Sequence, residues 1–213
     1  MFHVKHSARE AEPACTEPIC GDSLERLRLF ADHIVHWGEE LGLVGPRELD
    51  RLWTRHILNS ALLARKVPAG TLADVGSGAG FPGLVVAAMR PDVHCTLIEP
   101  LGRRSTWLEE EAQRLGLTNV TVMNERAEDV RGEVSVDSVT ARAVSALKTL
   151  VPLCVPLAKP GGQLLLMKGQ RVDDEIRAAS KELVRAGISD PRVELTGPEF
   201  GTEETRIFRA TVA

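Results

Sequence analysis

The stretch Asp74-Val75-Gly76-Ser77-Gly78-Ala79-Gly80-Phe81-Pro82-Gly83 constrains this chain more than any other. It follows a short apolar run, Thr71-Leu72-Ala73, and opens onto an apolar segment of helical character, Leu84 to Met89. A strand, a glycine-rich turn and a helix start, in that order, make a site for a nucleotide-like cofactor. Glycine lets the backbone bend tightly and approach a ligand closely, and the free N–H groups of the helix start face it. The spacing parses in two ways. Gly78, Gly80 and Gly83 fit the dinucleotide fingerprint G-x-G-x-x-G. Asp74, Gly76, Gly78 and Gly80 fit D-x-G-x-G-x-G, which suits a different nucleoside cofactor. The rest of the chain has to decide.

From Thr71 onward strand-like runs at 71–75, 94–98, 119–123, 137–141, 162–167, 192–196 and 206–212 are separated by helical stretches at 82–90, 102–115, 145–158 and 171–187. Strands alternating with helices predict an α/β fold with a mostly parallel, seven-stranded, Rossmann-like sheet covered on both faces. Only a loop, 197–205, joins the last two strands, so the sheet is expected to end in an antiparallel pair. Residues 1–21, with Pro13, Pro18 and Gly21 and no periodicity, read as a flexible leader. Asp22-x-x-Glu25 reads as a capping box ahead of an amphipathic helix from Ser23 to about Leu41. A second helical region, 47–66, carries Leu49, Leu52, Trp53, Ile57 and Leu63 on one face. Residues 22–70 thus read as a helical extension packed on a core of 71–213.

A chain of 213 residues, 43% hydrophobic, can bury a sizeable core. Its net charge of −4 supplies no global basic field, so a nucleic-acid partner would have to meet a local patch. No run approaches the ~18 apolar residues of a membrane span. Residues 1–6 lack a secretory apolar region, and Cys15, Cys20, Cys95 and Cys154 lack disulfide or zinc spacing. Reduced thiols in a cytoplasmic protein are expected. His3-x-x-His6 and His33-x-x-His36 have no acid or cysteine cluster to complete a metal site, and read as solvent-facing residues.

In a parallel sheet, ligands sit beyond the carboxyl ends of the strands. The second strand ends His94-Cys95-Thr96-Leu97-Ile98-Glu99, which places a carboxylate for ribose hydroxyls under either parse. The third ends Arg126-Ala127-Glu128-Asp129, with acids that a dinucleotide fold does not require. Asp74 and these carboxylates suit a cofactor bearing an ammonium and a sulfonium, and would repel a pyrophosphate. Nor is there a second half long enough to bind nicotinamide. S-adenosylmethionine (SAM) is therefore the expected cofactor.

The acceptor is narrowed by what is missing. No Asn/Asp-Pro-Pro-aromatic motif of amino methylation follows the fourth strand, which runs from Asp137 into Arg142-Ala143. Carbon methylation of a pyrimidine needs a cysteine nucleophile. Cys154 lies in the apolar run Leu150–Leu157 and reads as core, as does Trp107. Guanine N7 needs neither base nor nucleophile, because its lone pair is already available. A SAM enzyme of small metabolites, and a non-catalytic nucleotide-binding module, are the alternative readings.

Taken together, the motifs resemble the bacterial ribosomal RNA small subunit methyltransferase G family, guanine-N7 methyltransferases of 16S rRNA. The matching pieces are Trp53-Thr54-Arg55-His56-Ile57-Leu58-Asn59-Ser60, the loop Asp74–Gly83, Glu99-x-x-Gly102-Arg103-Arg104, Arg126-Ala127-Glu128, Thr140-Ala141-Arg142-Ala143, Lys159-Pro160-Gly161-Gly162 and Lys168-Gly169. Trp37-Gly38 stands where the family usually has Trp-Asn, and Asn59 where many members have Asp. The resemblance implies a class I SAM-dependent methyltransferase with its cofactor at Gly76, Gly78, Phe81, Glu99, Ala127, Glu128 and Arg142. It implies RNA contacts at Arg126, Arg142, Lys168, Arg104 and His56, with Arg103 and Arg171 completing a cationic rim. No catalytic base and no metal are expected. The implied partner is 16S rRNA or a small-subunit intermediate, with a guanine of the 530 loop as target, met by a monomer in the cytoplasm.

S-adenosylhomocysteine at a hundredfold excess over its Kd should add about 2.7 kcal/mol of stability, visible as several degrees in Tm. NAD and NADP should leave Tm in place. A shift with NAD and none with S-adenosylhomocysteine would return the loop to the dinucleotide parse.

Overall fold

The computed structural model describes residues 10–213. Seven strands, β1 (Gly70–Val75), β2 (Val93–Ile98), β3 (Val120–Met123), β4 (Val136–Arg142), β5 (Ala158–Lys168), β6 (Ile188–Thr196) and β7 (Thr205–Val212), form one sheet in the order β3-β2-β1-β4-β5-β7-β6. β1 to β5 are parallel neighbours. β7 runs antiparallel to both β5 and β6 and lies between them, so the expected terminal pair is present with the later strand inserted inward. The centre of the sheet is apolar on both faces, as a strand covered twice requires. Leu72, Ala73 and Val75 of β1 and Val139 and Ala141 of β4 are all buried.

Two helical layers cover it. The extension supplies α1 (Thr16–Cys20), α2 (Leu24–Trp37) and α3 (Asn59–Ala64), which share one apolar cluster with α4 (Gly83–Met89) and α5 (Gly102–Arg114). The opposite face carries α6 (Leu147–Cys154), α7 (Val172–Ala178) and α8 (Ser180–Arg185) over a second cluster. The helical stretch expected over 171–187 is two helices, because the backbone leaves helical geometry at the buried Ala179. The stretch over 145–158 ends in a tight turn, Val155–Leu157, where Pro156 has no N–H to continue the ladder.

Three local expectations are corrected. The leader is not loose from residue 10 onward. Ile19 and Cys20 of α1 are buried, and the Glu10 carboxylate accepts hydrogen bonds from the backbone N–H groups of Trp53 (2.8 Å) and Thr54 (3.1 Å). Residues 1–9, including His3 and His6, lie outside the described residues. The Asp22–Glu25 capping box does not form. The Ser23 hydroxyl donates instead to the carbonyl of Ala88, and Glu25 pairs with Arg28. Finally, the region 47–66 is not one α-helix: a 3₁₀ segment, Pro46–Arg51, leads into a π-helix, Leu52–Leu58, and then α3. The expected apolar face still turns inward, for Leu49, Leu52, Trp53, Ile57 and Leu63 are all buried. His56 falls on the same face and is buried as well, and π-turns of this kind recur at functional sites.

Phe30 on α2 is fully buried and its ring centre lies 5.1 Å from that of Phe81 in the glycine loop, so the extension backs the loop directly. Phe30→Ala should cost about 3–5 kcal/mol in denaturant unfolding, within a single transition. A loss under ~1 kcal/mol would mean that the extension is not part of the same cooperative core.

Candidate active site

The carboxyl ends of β1, β2 and β4 surround a cavity of about 400 Å³. Gly76, Ser77, Gly78, Ala79 and Phe81 form its floor, Glu99, Pro100, Leu101 and Arg104 one wall, and Arg142, Ala143 and Val144 another. Leu43, Val44 and His56 of the extension close the third side.

The loop is held in this shape from below. Asp74 is fully buried, and its Oδ2 accepts the backbone N–H of Gly83 at 2.9 Å, closing the turn between β1 and α4. A Cβ on Gly83 would lie 2.6 Å from that oxygen, so the close approach demands glycine. Gly76 has φ 72°, and a Cβ there would lie 2.9 Å from Val144. Glu99, 3% exposed, accepts the N–H of Gly78 on Oε2 and that of Leu101 on Oε1, both at 2.9 Å. A carboxylate has lone pairs for further donors, so two ribose hydroxyls remain within its capacity. Trp107 is core, as expected, and its indole N–H donates to the Ala79 carbonyl at 3.1 Å.

Buried polar atoms without a protein partner point to a ligand. Arg142 Nη1 and Arg104 Nε are two such atoms in the cavity wall. Leu101 and Val144, among the few large apolar side chains left exposed, form apolar lips at the mouth. Apolar lips, an acid beside glycine N–H groups and unpaired guanidinium donors fit a purine, a ribose and a carboxylate, the three parts of SAM other than its sulfonium.

Arg142 is held by a hydrogen-bonded row. Its Nη2 donates to His56 Nδ1 at 2.9 Å, and His56 Nε2 donates to Glu48 at 2.7 Å. Burial and the neighbouring Arg142 push His56 down to about 4, against the pull of Glu48. Burial also lowers Arg142 to about 10, helped by the charge of Arg55. Burial alone would raise Glu48, but the His56 hydrogen bond with Arg55 and Arg142 outweighs it and holds the carboxyl below its ordinary range. The imidazole is therefore neutral at physiological pH. Ala143, the next residue, has φ 55°, a left-handed conformation uncommon for a residue with a Cβ and often found at functional sites.

Ala143 and Arg142 also line a second pocket of about 460 Å³. Arg51, Arg55, Lys168 and Arg206 surround it, with Glu203, Glu204 and Asn59. Arg51 pairs with Glu203 at 2.6 Å, Arg55 with Glu48 at 3.4 Å, and Arg206 with Glu204. None of Arg51, Arg55 and Arg206 was expected here. Arg51 and Arg55 are four residues apart, a spacing that hints at one face, but Arg206 is visible only through its pairing opposite Lys168 across β5 and β7.

Gly76, Gly78, Phe81, Glu99, Arg142, Arg104 and His56 thus converge on the first cavity. Other expected residues do not. Ala127 packs its methyl group into the apolar cluster under α6, and Glu128 is exposed; neither lines the cavity. Lys168 is not a free rim cation, since its ammonium pairs with Glu175 at 2.6 Å and donates to the Ser145 carbonyl at 2.9 Å. Glu175 in turn accepts the N–H of Leu147, so this pair anchors the start of α6 and the loop carrying Val144. Asp74 holds the loop and does not line the cavity, so it cannot touch a cofactor charge directly. His36 is exposed, as expected, whereas His33 is partly buried and pairs with Glu111 at 2.8 Å. Arg126, Arg103 and Arg171 are exposed, as rim residues should be. Cys154 is fully buried, and burial pushes its thiol far up. No cluster of three metal-ligating side chains occurs among the described residues.

The sequence profile described as rRNA small subunit methyltransferase G matches residues 23–199. The chain belongs to this family. Its activity is methyl transfer to ribosomal RNA of the small subunit. The chain is 49% identical over 209 residues to the ribosomal RNA small subunit methyltransferase G of Clavibacter sepedonicus, covering 98% of this chain and 99% of that one. The corresponding protein of Mycolicibacterium smegmatis is 45% identical over 201 residues, covering 92% and 85%. Among solved structures, a SAM-dependent methyltransferase from Aquifex aeolicus superposes with a TM-score of 0.57 at 19% identity, covering 80% of this chain and all of that one. A SAM-dependent O-methyltransferase from Thermotoga maritima gives 0.54 at 17%, covering 73% and 64%. The fold is that of the class I methyltransferases, whose cofactor is SAM. Among the described residues no helix is long and apolar enough to cross a membrane.

Burial raises Asp74 to about 7, against the pull of the Gly83 N–H. The unfolded value is about 3.9. The folded state therefore holds the extra proton between these values, and the stabilisation from it is complete below about pH 4 and lost as pH rises through about 7. In ligand-free protein, wild type should lose stability from pH 5 to pH 8 relative to Asp74→Asn, measured as urea midpoints. Parallel pH profiles for the two proteins would refute the assignment.

Proposed function

We propose that this chain transfers the methyl group of SAM to N7 of a guanine in the 530 loop of 16S rRNA, in the cytoplasm, by direct in-line displacement. One observation carries the reading: Arg142 and Ala143 form a wall shared by the first cavity and the arginine-lined second pocket. A group held in one would meet a group held in the other at that wall. The cofactor supplies an electrophilic methyl on a sulfonium. Glu99 would receive the ribose hydroxyls, Leu101 and Val144 would sandwich the adenine, and Arg142 and Arg104 would receive the carboxylate.

The acceptor assignment follows from what the two cavities are made of. Among the described residues neither is lined by a cysteine. His56, held near 4 by burial, is a poor proton acceptor at neutral pH. Guanine N7 carries its lone pair without losing a proton, so the protein needs only to align it. Alignment of this kind can contribute about 7–11 kcal/mol. Arg51, Arg55 and Arg206, with Arg126 outside, would contact phosphates, which supplies affinity without reading sequence. The carboxylates that now pair with them lower the net charge of the pocket, so RNA phosphates would exchange partners with Glu203 and Glu204.

The test is tritiated methyl transfer from SAM to small subunits or 16S rRNA that lack the modification. One methyl per RNA should enter, and borohydride followed by aniline should cut the chain in the 530 loop, as N7-methylguanine allows. Cys154→Ser should retain activity, because no covalent intermediate forms. Arg126→Ala should weaken RNA binding and its salt dependence with little change in S-adenosylhomocysteine affinity. A labelled RNA that resists aniline would put the methyl on another atom, and label entering a small metabolite alone would remove RNA as the substrate.

A further inference from the structure

We propose that His56 is a positioning residue, which fixes the Arg142 guanidinium at the wall between the two cavities while leaving its positive charge free for an anionic ligand. The proposal rests on the functional reading of that wall.

The chemistry of the row leaves one arrangement. A guanidinium can only donate, so the 2.9 Å contact from Arg142 Nη2 requires a lone pair on His56 Nδ1. The proton then resides on Nε2, which donates to Glu48 at 2.7 Å. The ring has little room to turn. Its side chain is 11% exposed, and its centre lies 5.1 Å from that of Phe81. Phe81 also lies beneath Arg142, whose guanidinium carbon is 5.9 Å from the ring centre. One end of the guanidinium is thus gripped by an imidazole and an aromatic face, and Nη1 is left buried without a protein partner.

A carboxylate in the place of His56 would grip Arg142 more strongly, but would neutralise it. The imidazole sets Glu48 one ring away, so the guanidinium is oriented by a neutral acceptor and keeps its charge. Such a device suits an anion, either the carboxylate of the cofactor or a phosphate of the RNA. His56 itself comes from the π-helix Leu52–Leu58. The helix belongs to the extension, not to the sheet, and it brings His56 to the end of β4 across 86 positions of sequence.

Two amides separate the halves of the row. His56→Asn can place an oxygen near the position of Nδ1, keeping an acceptor for Arg142 and losing Glu48. His56→Gln can place its amide near Nε2, keeping Glu48 and losing Arg142. Both remove the ring, so a merely structural role predicts similar losses. We expect His56→Gln to bind S-adenosylhomocysteine and to methylate small-subunit RNA at least tenfold less well than His56→Asn, at similar Tm. In wild type, imidazole ¹⁵N spectra, assigned with the Asn variant, should show Nδ1 unprotonated and Nε2 protonated from pH 6 to pH 8. Equal losses in the two variants, a reversed order, or a protonated Nδ1 would overturn the proposal. If wild type methylated no small-subunit RNA, the functional reading would fall, while S-adenosylhomocysteine affinity and the ¹⁵N spectra would still judge the role of His56. If neither variant folded, the ¹⁵N spectra of wild type, assigned through bonds in uniformly labelled protein, would decide.

Discussion

A single hydrogen bond within the sheet's carboxyl edge, from the Gly83 N–H to the buried Asp74, sets the geometry on which the site depends. It closes the turn from β1 to α4 and so decides where Phe81 lies. Phe81 in turn touches Phe30 of the extension, the ring of His56 and the guanidinium of Arg142. Three elements distant in sequence are therefore registered against one aromatic ring. That ring is placed by a carboxylate which itself never reaches the cavity. Burying the acid is costly, and the site is what that cost supports.

Much of this was legible in the sequence, for identifiable reasons. The central strands were readable because each is short, apolar and bounded by turn residues, and their alternation with helices leaves few topologies. By contrast, β5 and the largely exposed β6 each begin four residues earlier than their apolar runs. The glycine loop and Glu99 were readable because backbone geometry dictates the residue type at each position. Charged side chains were not readable in the same way. Nothing in the letters Lys168 and Arg142 says that one is sealed against Glu175 while the other borders both cavities. The choice is made by partners far away in the chain. The π-helix was equally hidden, since the buried set Leu49, Leu52, Trp53, Ile57 and Leu63 also suits an ordinary α-helix. The start of the π-helix is marked instead by the capping of Trp53 and Thr54 by Glu10, a long-range event.

The protein solves an electrostatic problem on a net acidic chain. Binding a polyanion calls for cations, and holding a sulfonium calls for acids. The two cavities meet at the wall formed by Arg142 and Ala143. Glu99 and the loop line one cavity, and Arg51, Arg55 and Arg206 line the other, each arginine paired with a glutamate.

The bond from the Trp107 indole to the Ala79 carbonyl has an optical corollary. Trp107 sits 2% exposed against the glycine loop, with the Arg114 guanidinium 5.8 Å from its ring centre and Trp37 beyond. An indole emission responds to its own N–H bond and to nearby charge. A shift of the loop that lengthens this bond will therefore alter the emission of a chromophore the chain already carries, and a ligand that moves the loop on entering the cavity would report itself without an attached dye.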